Sequence, residues 1–398
     1  MKSAAEQLEV LSHGIDRIVP EDELRARLET GEPLRVKLGL DPTAPDVHLG
    51  WAVVLDLLRR FQELGHTAVL IVGDFTAQVG DPSGRSDTRG RLSANEVQAF
   101  AGSLLDTIKG QLLPEPLEIR YNSEWLGSLD MAGVLDMTSQ VTVAQMLERD
   151  DFSKRMAANE PVSLIEFLYP LLQGTDSVAV QADVELGGSD QLWNLMVGRQ
   201  LQTRAGQAPQ VAMTVPLLVG TDGTKKMSQS YGNYISVRDE PAEMFGKTMS
   251  IPDELMAEYF ELASGLPAGE AADLVQSVDD GSLHPGEAKR ALARAIVARH
   301  HNPEAAVAAE TAFDAVFKDK GVPEEVPVEA LLAGDPVWLP GALAAAGVVT
   351  SNSEGRRMVA QGAVKVDGKA VGTEEVPRAA LVGQVVQVGK RRFVRFVD

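Results

Sequence analysis

The sequence predicts an α/β protein in three parts: a parallel-sheet domain over residues 1–235, an α-helical segment over 236–330 and a small α+β module over 331–398. Three observations predict it. Residues 36–40 and Thr67–Val72 are short apolar runs, and between them residues 48–64 place Trp51, Val54, Leu55, Leu58 and Phe61 at helical spacing. From about residue 251 the texture changes to alanine-rich helix, as over residues 287–300. Residues 351–398 carry nine basic side chains against five acidic ones, although the whole chain has a formal charge of −20.

The first observation defines a strand–helix–strand unit, which predicts neighbouring parallel strands and a nucleotide-sized crevice at their carboxyl ends. Gly65 ends the helix, and a polar loop, Gly80-Asp81-Pro82-Ser83-Gly84-Arg85, precedes another helix from about residue 94. Helices are predicted over residues 142–148, 164–172 and 189–204, the last opened by a Ser189 cap and Asp190. Residues 211–219 read as a strand, 221–230 as a loop bearing glycine and lysine, and 321–327, with two prolines, as a linker. A chain of 398 residues can hold two or three cores, and 44% apolar content is ordinary for a soluble protein.

Several function classes drop out. The first residues reach Glu6 without an apolar h-region, and the most apolar run, residues 68–72, is far too short to span a bilayer. A soluble cytoplasmic protein without membrane partners is expected. No cysteine is present, so disulfides, thiolate metal sites and cysteine nucleophiles are excluded. The acidic charge argues against non-specific coating of nucleic acid, whereas the basic tail points to a local RNA-facing appendage.

Three constellations carry chemistry. Gly39-Leu-Asp41-Pro-Thr43, leading into His48-Leu-Gly50-Trp51, lies between the first strand and its helix, where free N–H groups and the helix dipole attract phosphate. Taken alone it equally suits a helix entry with a solvated histidine. Asp222-Gly-Thr-Lys225-Lys226-Met227-Ser228-Gln229-Ser230 suits a mobile clamp for polyphosphate, or a solvated charged turn. Tyr169, Gln173 and Asp176, spaced by four and three, share one helix face, and Gly187-Gly188-Ser189-Asp190-Gln191 follows. A phenol, an amide and a carboxylate are poor core material without partners and should line a polar pocket.

In this order the motifs resemble bacterial tyrosyl-tRNA synthetases of class I across nearly the whole chain. Asp41-Pro-Thr with His48-Leu-Gly resembles the His-Ile-Gly-His signature, and Lys226-Met-Ser-Gln-Ser resembles the Lys-Met-Ser-Lys-Ser loop. Tyr169-Pro-Leu-Leu-Gln173-Gly-Thr-Asp176 and Gly187-Gly-Ser-Asp190-Gln191 resemble the amino-acid pocket, with Gly73-Asp-Phe and Gly80-Asp81-Pro-Ser-Gly-Arg completing the likeness. Leu339-Pro, Glu354-Gly-Arg356-Arg357 and Gly362-Ala-Val-Lys365-Val-Asp-Gly368 resemble the small RNA-binding module at the end of those enzymes.

The resemblance implies a Rossmann-type catalytic domain, an anticodon-region helical domain and an enzyme that joins L-tyrosine, through ATP, to tRNA(Tyr). It implies Asp81, Tyr169, Gln173 and Gln191 around the substrate ammonium and Asp176 on the phenol, with Lys37 at the position where many relatives carry a phenol-binding tyrosine. It assigns Gly39, Asp41, Gly50, Trp51, Gly188 and Asp190 to the adenylate and its ribose. Thr43, His48, Lys225, Lys226, Met227, Ser228 and Gln229 fall to the phosphates, and Arg356, Arg357 and Lys365 to RNA. Mg²⁺ is expected on the ATP phosphates and no protein-bound metal, and a homodimer is expected. Trp51 replaces the second signature histidine, Gln229 the second loop lysine, and Thr175 a common tyrosine. A tryptophanyl-tRNA synthetase and a non-activating RNA-binding relative are the alternatives.

Overall fold

The computed structural model describes residues 1–82, 93–317, 326–389 and 392–398. Ser83, Gly84, Arg85 and most of the linker at 321–327 lie outside the described residues. The chain divides into two compact units: Met1–Glu240 with Lys247–His300, and Pro241–Gly246 with His301–Asp398.

The first unit is built on a six-stranded sheet. Its strands are β1 (Arg17–Val19), β2 (Arg35–Leu40), β3 (Thr67–Val72), β4 (Leu117–Tyr121), β5 (Val184–Gly188) and β6 (Val211–Val215), in spatial order β1-β6-β5-β2-β3-β4. Only β1 runs antiparallel, against β6. β2 is followed by β3 on one side, while β5 lies on its other side, so the strand order reverses between β2 and β5. That reversal opens a crevice beyond their carboxyl ends. Leu38, Leu70, Ile71, Leu186 and Met213 are buried, as expected of a parallel sheet covered on both faces.

The helix Leu49–Glu63 fills the crossover as its spacing predicts, burying Leu49, Val54, Leu55, Leu58 and Phe61, with His48 at its N-cap. The helix expected over 164–172 runs on to Val180, through Pro170. Packing outweighs the lost N–H there: Leu171 and Leu172 are buried with Val197 and Leu201 of the helix Leu192–Arg204. The two helices meet at glycines, and a Cβ on Gly174 would stand 3.2 Å from the Gly198 Cα. Ser189 does not cap the second helix; Ser189–Gln191 forms a 3₁₀ turn before it. The strand expected over 211–219 stops at Val215, because Pro216 has no N–H for the ladder. The helix expected over 142–148 is a single turn, Val143–Met146. Met256–Leu262, Ala268–Asp279 and Pro285–His300 supply the alanine-rich helices of this unit, the last burying Leu292, Ala293, Ile296 and Val297.

The second unit contains β7 (Val328–Ala330), β8 (Val337–Trp338), β9 (Val364–Val366), β10 (Lys369–Ala370), β11 (Glu375–Val376), β12 (Val385–Val388) and β13 (Arg392–Val397). Five form a sheet in the order β10-β9-β12-β13-β7, and β8 pairs with β11. Helices Leu339–Ala345 and Asn352–Ala360 close a core of Leu339, Leu343, Val359, Val364, Val386, Val388, Val394 and Phe396. This is the α+β module the tail predicts, although its strands of two to six residues carry little periodicity.

Candidate active site

A cavity of about 260 Å³ opens at the carboxyl ends of β2 and β5. From β2 and the turn beyond it come Gly39, Asp41 and Thr43; from the start of the next helix, His48, Gly50 and Trp51. Tyr169, Gln173 and Asp176 project into it from one helix face, as their spacing predicts, and Gly188, Asp190 and Gln191 follow β5. Asp81 and the loop residues Lys226, Met227, Ser228 and Gln229 complete the lining. Residues scattered over 190 positions thus converge because the switch point gathers strand ends.

One wall is a set of acids, of which Asp176 is buried and Asp41 and Asp81 are partly so. The Tyr169 hydroxyl donates to Asp41 Oδ2 at 3.0 Å, and the Thr76 hydroxyl donates to Asp41 Oδ1 at 2.7 Å. Gly73 is required here, since a Cβ on it would overlap the Asp41 carboxylate and the Thr76 hydroxyl. Burial pushes Asp41 up to about 7, with Asp81 nearby adding to the rise and the two hydroxyls opposing it. Tyr169 is pushed well above its ordinary value by burial and the surrounding carboxylates, so it stays a donor.

Asp176 accepts from the Trp125 indole at 2.8 Å and from Asn122 Nδ2 at 3.2 Å. Burial raises it to about 6, opposed first by the charge of Lys37 and then by these two hydrogen bonds. A buried acceptor held rigidly by two donors suits a ligand hydroxyl. Asn122 and Trp125, just beyond β4, were missed in sequence; their signal is polar residues at the carboxyl end of a parallel strand.

On the other wall, burial and the Lys226 charge lower His48 to about 4, so its imidazole is neutral at pH 7 and offers a hydrogen bond without a charge. Its Nδ1 is buried with no partner among the described residues. A Cβ on Gly50 would stand 3.1 Å from that nitrogen, so glycine keeps the approach open. The Trp51 ring lies 5.7 Å from the imidazole, centre to centre. Across the cavity Lys226 Nζ donates to Asp190 Oδ2 at 2.6 Å, and Gln229 Nε2 donates to the Asp46 carbonyl at 2.6 Å. The loop is organised by Asn233, which accepts from Ser228 N–H and donates to Asp222 and the Lys226 carbonyl.

Two expected site residues do not line the cavity. Lys37 is wholly buried behind it, its ammonium 2.8 Å from Glu185 and also donating to Ser177 Oγ and the Gln173 carbonyl. It cannot touch a ligand there; a lysine in an apolar strand needs a buried counter-charge, and Glu185 supplies it from the adjacent strand. Lys225 turns its ammonium over the Tyr231 ring at 4.8 Å.

In the second unit Arg356 and Arg357 are exposed on the helix Asn352–Ala360, whereas Lys365 sits half-buried on β9. Arg356 pairs with Glu374 at 3.1 Å and lies over the Trp338 ring. Among the described residues no three His, Asp or Glu side chains cluster as a metal site.

Residues 29–318 match the family described as tRNA synthetases class I (W and Y). A tyrosine–tRNA ligase of Moorella thermoacetica is 51% identical over 398 residues, covering 99% of this chain and 96% of that one. One of Geobacter sulfurreducens is 50% identical, covering 99% of each. Among solved structures, a C-terminally truncated mitochondrial tyrosyl-tRNA synthetase of Aspergillus nidulans superposes with a TM-score of 0.64 at 24% identity, over 80% of this chain and 95% of that one. The tyrosyl-tRNA synthetase of Archaeoglobus fulgidus, complexed with L-tyrosine, gives 0.61 at 23% identity, over 77% and 99%. These two likenesses concern the fold.

Proposed function

The chain belongs to the tyrosine–tRNA ligases of class I, and from that premise we propose how its cavity performs the ATP-dependent joining of tyrosine to tRNA(Tyr). The convergence of Tyr169, Gln173 and Asp176 with Asp81, Asp190 and Gln191 at the switch point carries the reading. The substrate phenol donates to Asp176, and its ammonium lies among Asp81, Tyr169, Gln173 and Gln191, which supply charge and acceptors. Gly39, Asp41, Gly50, Trp51, Gly188 and Asp190 hold the adenylate and its ribose. Thr43, His48, Lys226, Met227, Ser228 and Gln229 face the phosphates.

The tyrosine carboxylate attacks the α-phosphorus of ATP, forming tyrosyl-adenylate as the bond to pyrophosphate breaks. The nucleophile is already ionised, so no general base is needed, and rate comes from positioning and from stabilising the departing charge. Mg²⁺ enters with ATP as part of the substrate. Lys226 exchanges Asp190 for phosphate as the leaving charge grows. The 3′-terminal hydroxyl of tRNA then attacks the adenylate carbonyl, and the tyrosyl ester forms as the anhydride bond breaks, AMP leaves and the hydroxyl gives up its proton.

ATP–pyrophosphate exchange driven by tyrosine, phenylalanine and tryptophan in parallel tests this reading, and tyrosine alone is expected to support it well. Preference for tryptophan, or no exchange, overturns it. The same assay has a pH signature. Asp176 holds its proton up to about 6, and the substrate phenol donates best to its ionised form. The KM for tyrosine is therefore expected to rise as pH falls through 6. For folding the sign is opposite: carboxyls raised in the folded state favour it at low pH and lose that contribution as pH rises towards 7.

Gln229 keeps a donor where a lysine would add charge. Gln229→Lys is expected to speed adenylate formation about fivefold, the difference of about 1 kcal/mol between a neutral and a charged hydrogen bond, with tyrosine affinity unchanged. Lys225→Ala is expected to change little, because its ammonium faces Tyr231. Single-turnover rates of both variants check this.

The helical segment 236–330 is assigned to the anticodon region and 331–398 to further tRNA contacts through Arg356, Arg357 and Lys365. A homodimer is favoured by Met131, Leu135, Val143, Met156 and Leu164, each more than half exposed along one stretch of the first unit. No helix among the described residues is long and apolar enough to cross a membrane, and we assign the protein to the cytoplasm.

A further inference from the structure

We propose that Glu185 and Arg149, which do not line the cavity, are positioning residues that fix which end of the Gln173 and Gln191 amides meets the substrate ammonium. The inference rests on the ammonium assignment above. An amide has a donor end and an acceptor end of nearly equal size, and only the oxygen can receive an ammonium. Two such amides in one pocket need something behind them to decide their orientation.

Charged groups make that decision. Glu185, 1% exposed, is an acceptor only, and it takes Gln173 Nε2 at 3.1 Å. Arg149, 5% exposed, is a donor only, and it gives NH1 to Asn194 Oδ1 at 2.9 Å. Asn194 must then turn its nitrogen the other way, where it donates to Gln173 Oε1 and Gln191 Oε1, both at 3.1 Å. Gln191 Nε2 in turn meets Asp81 Oδ2 at 2.8 Å. Three amides are thus polarised in one sense, and each glutamine oxygen has a second lone pair for the ammonium.

The two charges are themselves held. Lys37 sits opposite Glu185 in the β2–β5 register and donates to its Oε1 at 2.8 Å, while Ser177 and Gln210 donate to Oε2. Arg149 is clamped by both oxygens of Asp151, each at 2.8 Å. This assigns Lys37 a place in tyrosine recognition without contact: its ion pair holds the Glu185 carboxylate fixed behind Gln173.

The test compares tyrosine with 3-(4-hydroxyphenyl)propionate, which has the phenol and carboxylate but no ammonium. Lys37→Met/Glu185→Gln removes the acceptor-only charge without stranding a lysine, and Asn194→Asp keeps its bond to Arg149 but removes the shared donor. Both are expected to raise the KM for tyrosine at least about tenfold. The inhibition constant of the analogue, kcat and the KM for ATP should stay within about twofold. Parallel weakening of both ligands would show a merely structural role and overturn the proposal, as would unchanged tyrosine affinity. Gln173→Ala separates the two levels: if it leaves the preference for tyrosine over the analogue intact, the ammonium assignment itself is wrong. If it abolishes that preference while the other variants do nothing, only the positioning role is wrong.

Discussion

Asp176→Ala is expected to weaken tyrosine use in ATP–pyrophosphate exchange by about 10–100-fold, the worth of a buried hydrogen bond to a charged acceptor. Phenylalanine, which makes no such bond, should be affected far less, so discrimination between the two collapses. Asn122 and Trp125 sharpen the expectation. They hold the Asp176 carboxylate through Nδ2 and the indole N–H, and both would be left facing an alanine. The variant therefore also loses stability, and the comparison of two amino acids in one preparation removes that effect. Equal losses for tyrosine and phenylalanine would take Asp176 out of phenol recognition.

Removing residues 326–398 is expected to leave tyrosyl-adenylate formation near that of the full chain while lowering tRNA charging more than about tenfold at moderate salt. The structure dictates where the cut belongs. β7 (Val328–Ala330) pairs with β13, so a cut at about residue 336 would strand one edge of the sheet. The module has its own core, from Leu331 to Phe396, and every cavity-lining residue precedes residue 231. Arg356 and Arg357, exposed, and Lys365, half-buried, are the cations proposed to meet phosphate, and their contribution should fade with added salt. Equal loss of adenylate formation would mean instead that the module supports the fold.

Much of the pocket was legible because helical spacing survives in one dimension. Tyr169, Gln173 and Asp176 needed only a period of 3.6 to be placed on one face. Gly39–His48 and Gly188–Gln191 were legible as strand ends, since a parallel sheet gathers such ends together. What stayed hidden depends on partners far apart in sequence. Lys37 reads as a site residue until Glu185, 148 positions on, is seen to absorb its charge. A signal existed: Arg35–Leu40 and Val184–Gly188 are apolar strands that each bury one charge of opposite sign. Asn194 and Arg149 gave none, because neither stands out from a solvated helix face until the fold buries them. The strands of the second unit were illegible for a simpler reason, all but β13 being too short for alternation to register.

The most direct test of the central claim, that this cavity reads tyrosine by its phenol at one end and its ammonium at the other, is a crystal structure with a non-hydrolysable tyrosyl-adenylate analogue. The phenol oxygen is expected within about 3 Å of Asp176 and the ammonium among Asp81, Tyr169, Gln173 and Gln191. The ribose should lie against Asp190, with Lys226 released towards the phosphate. A tyrosyl ring seated away from Asp176, or an ammonium in contact with none of the four, would contradict it.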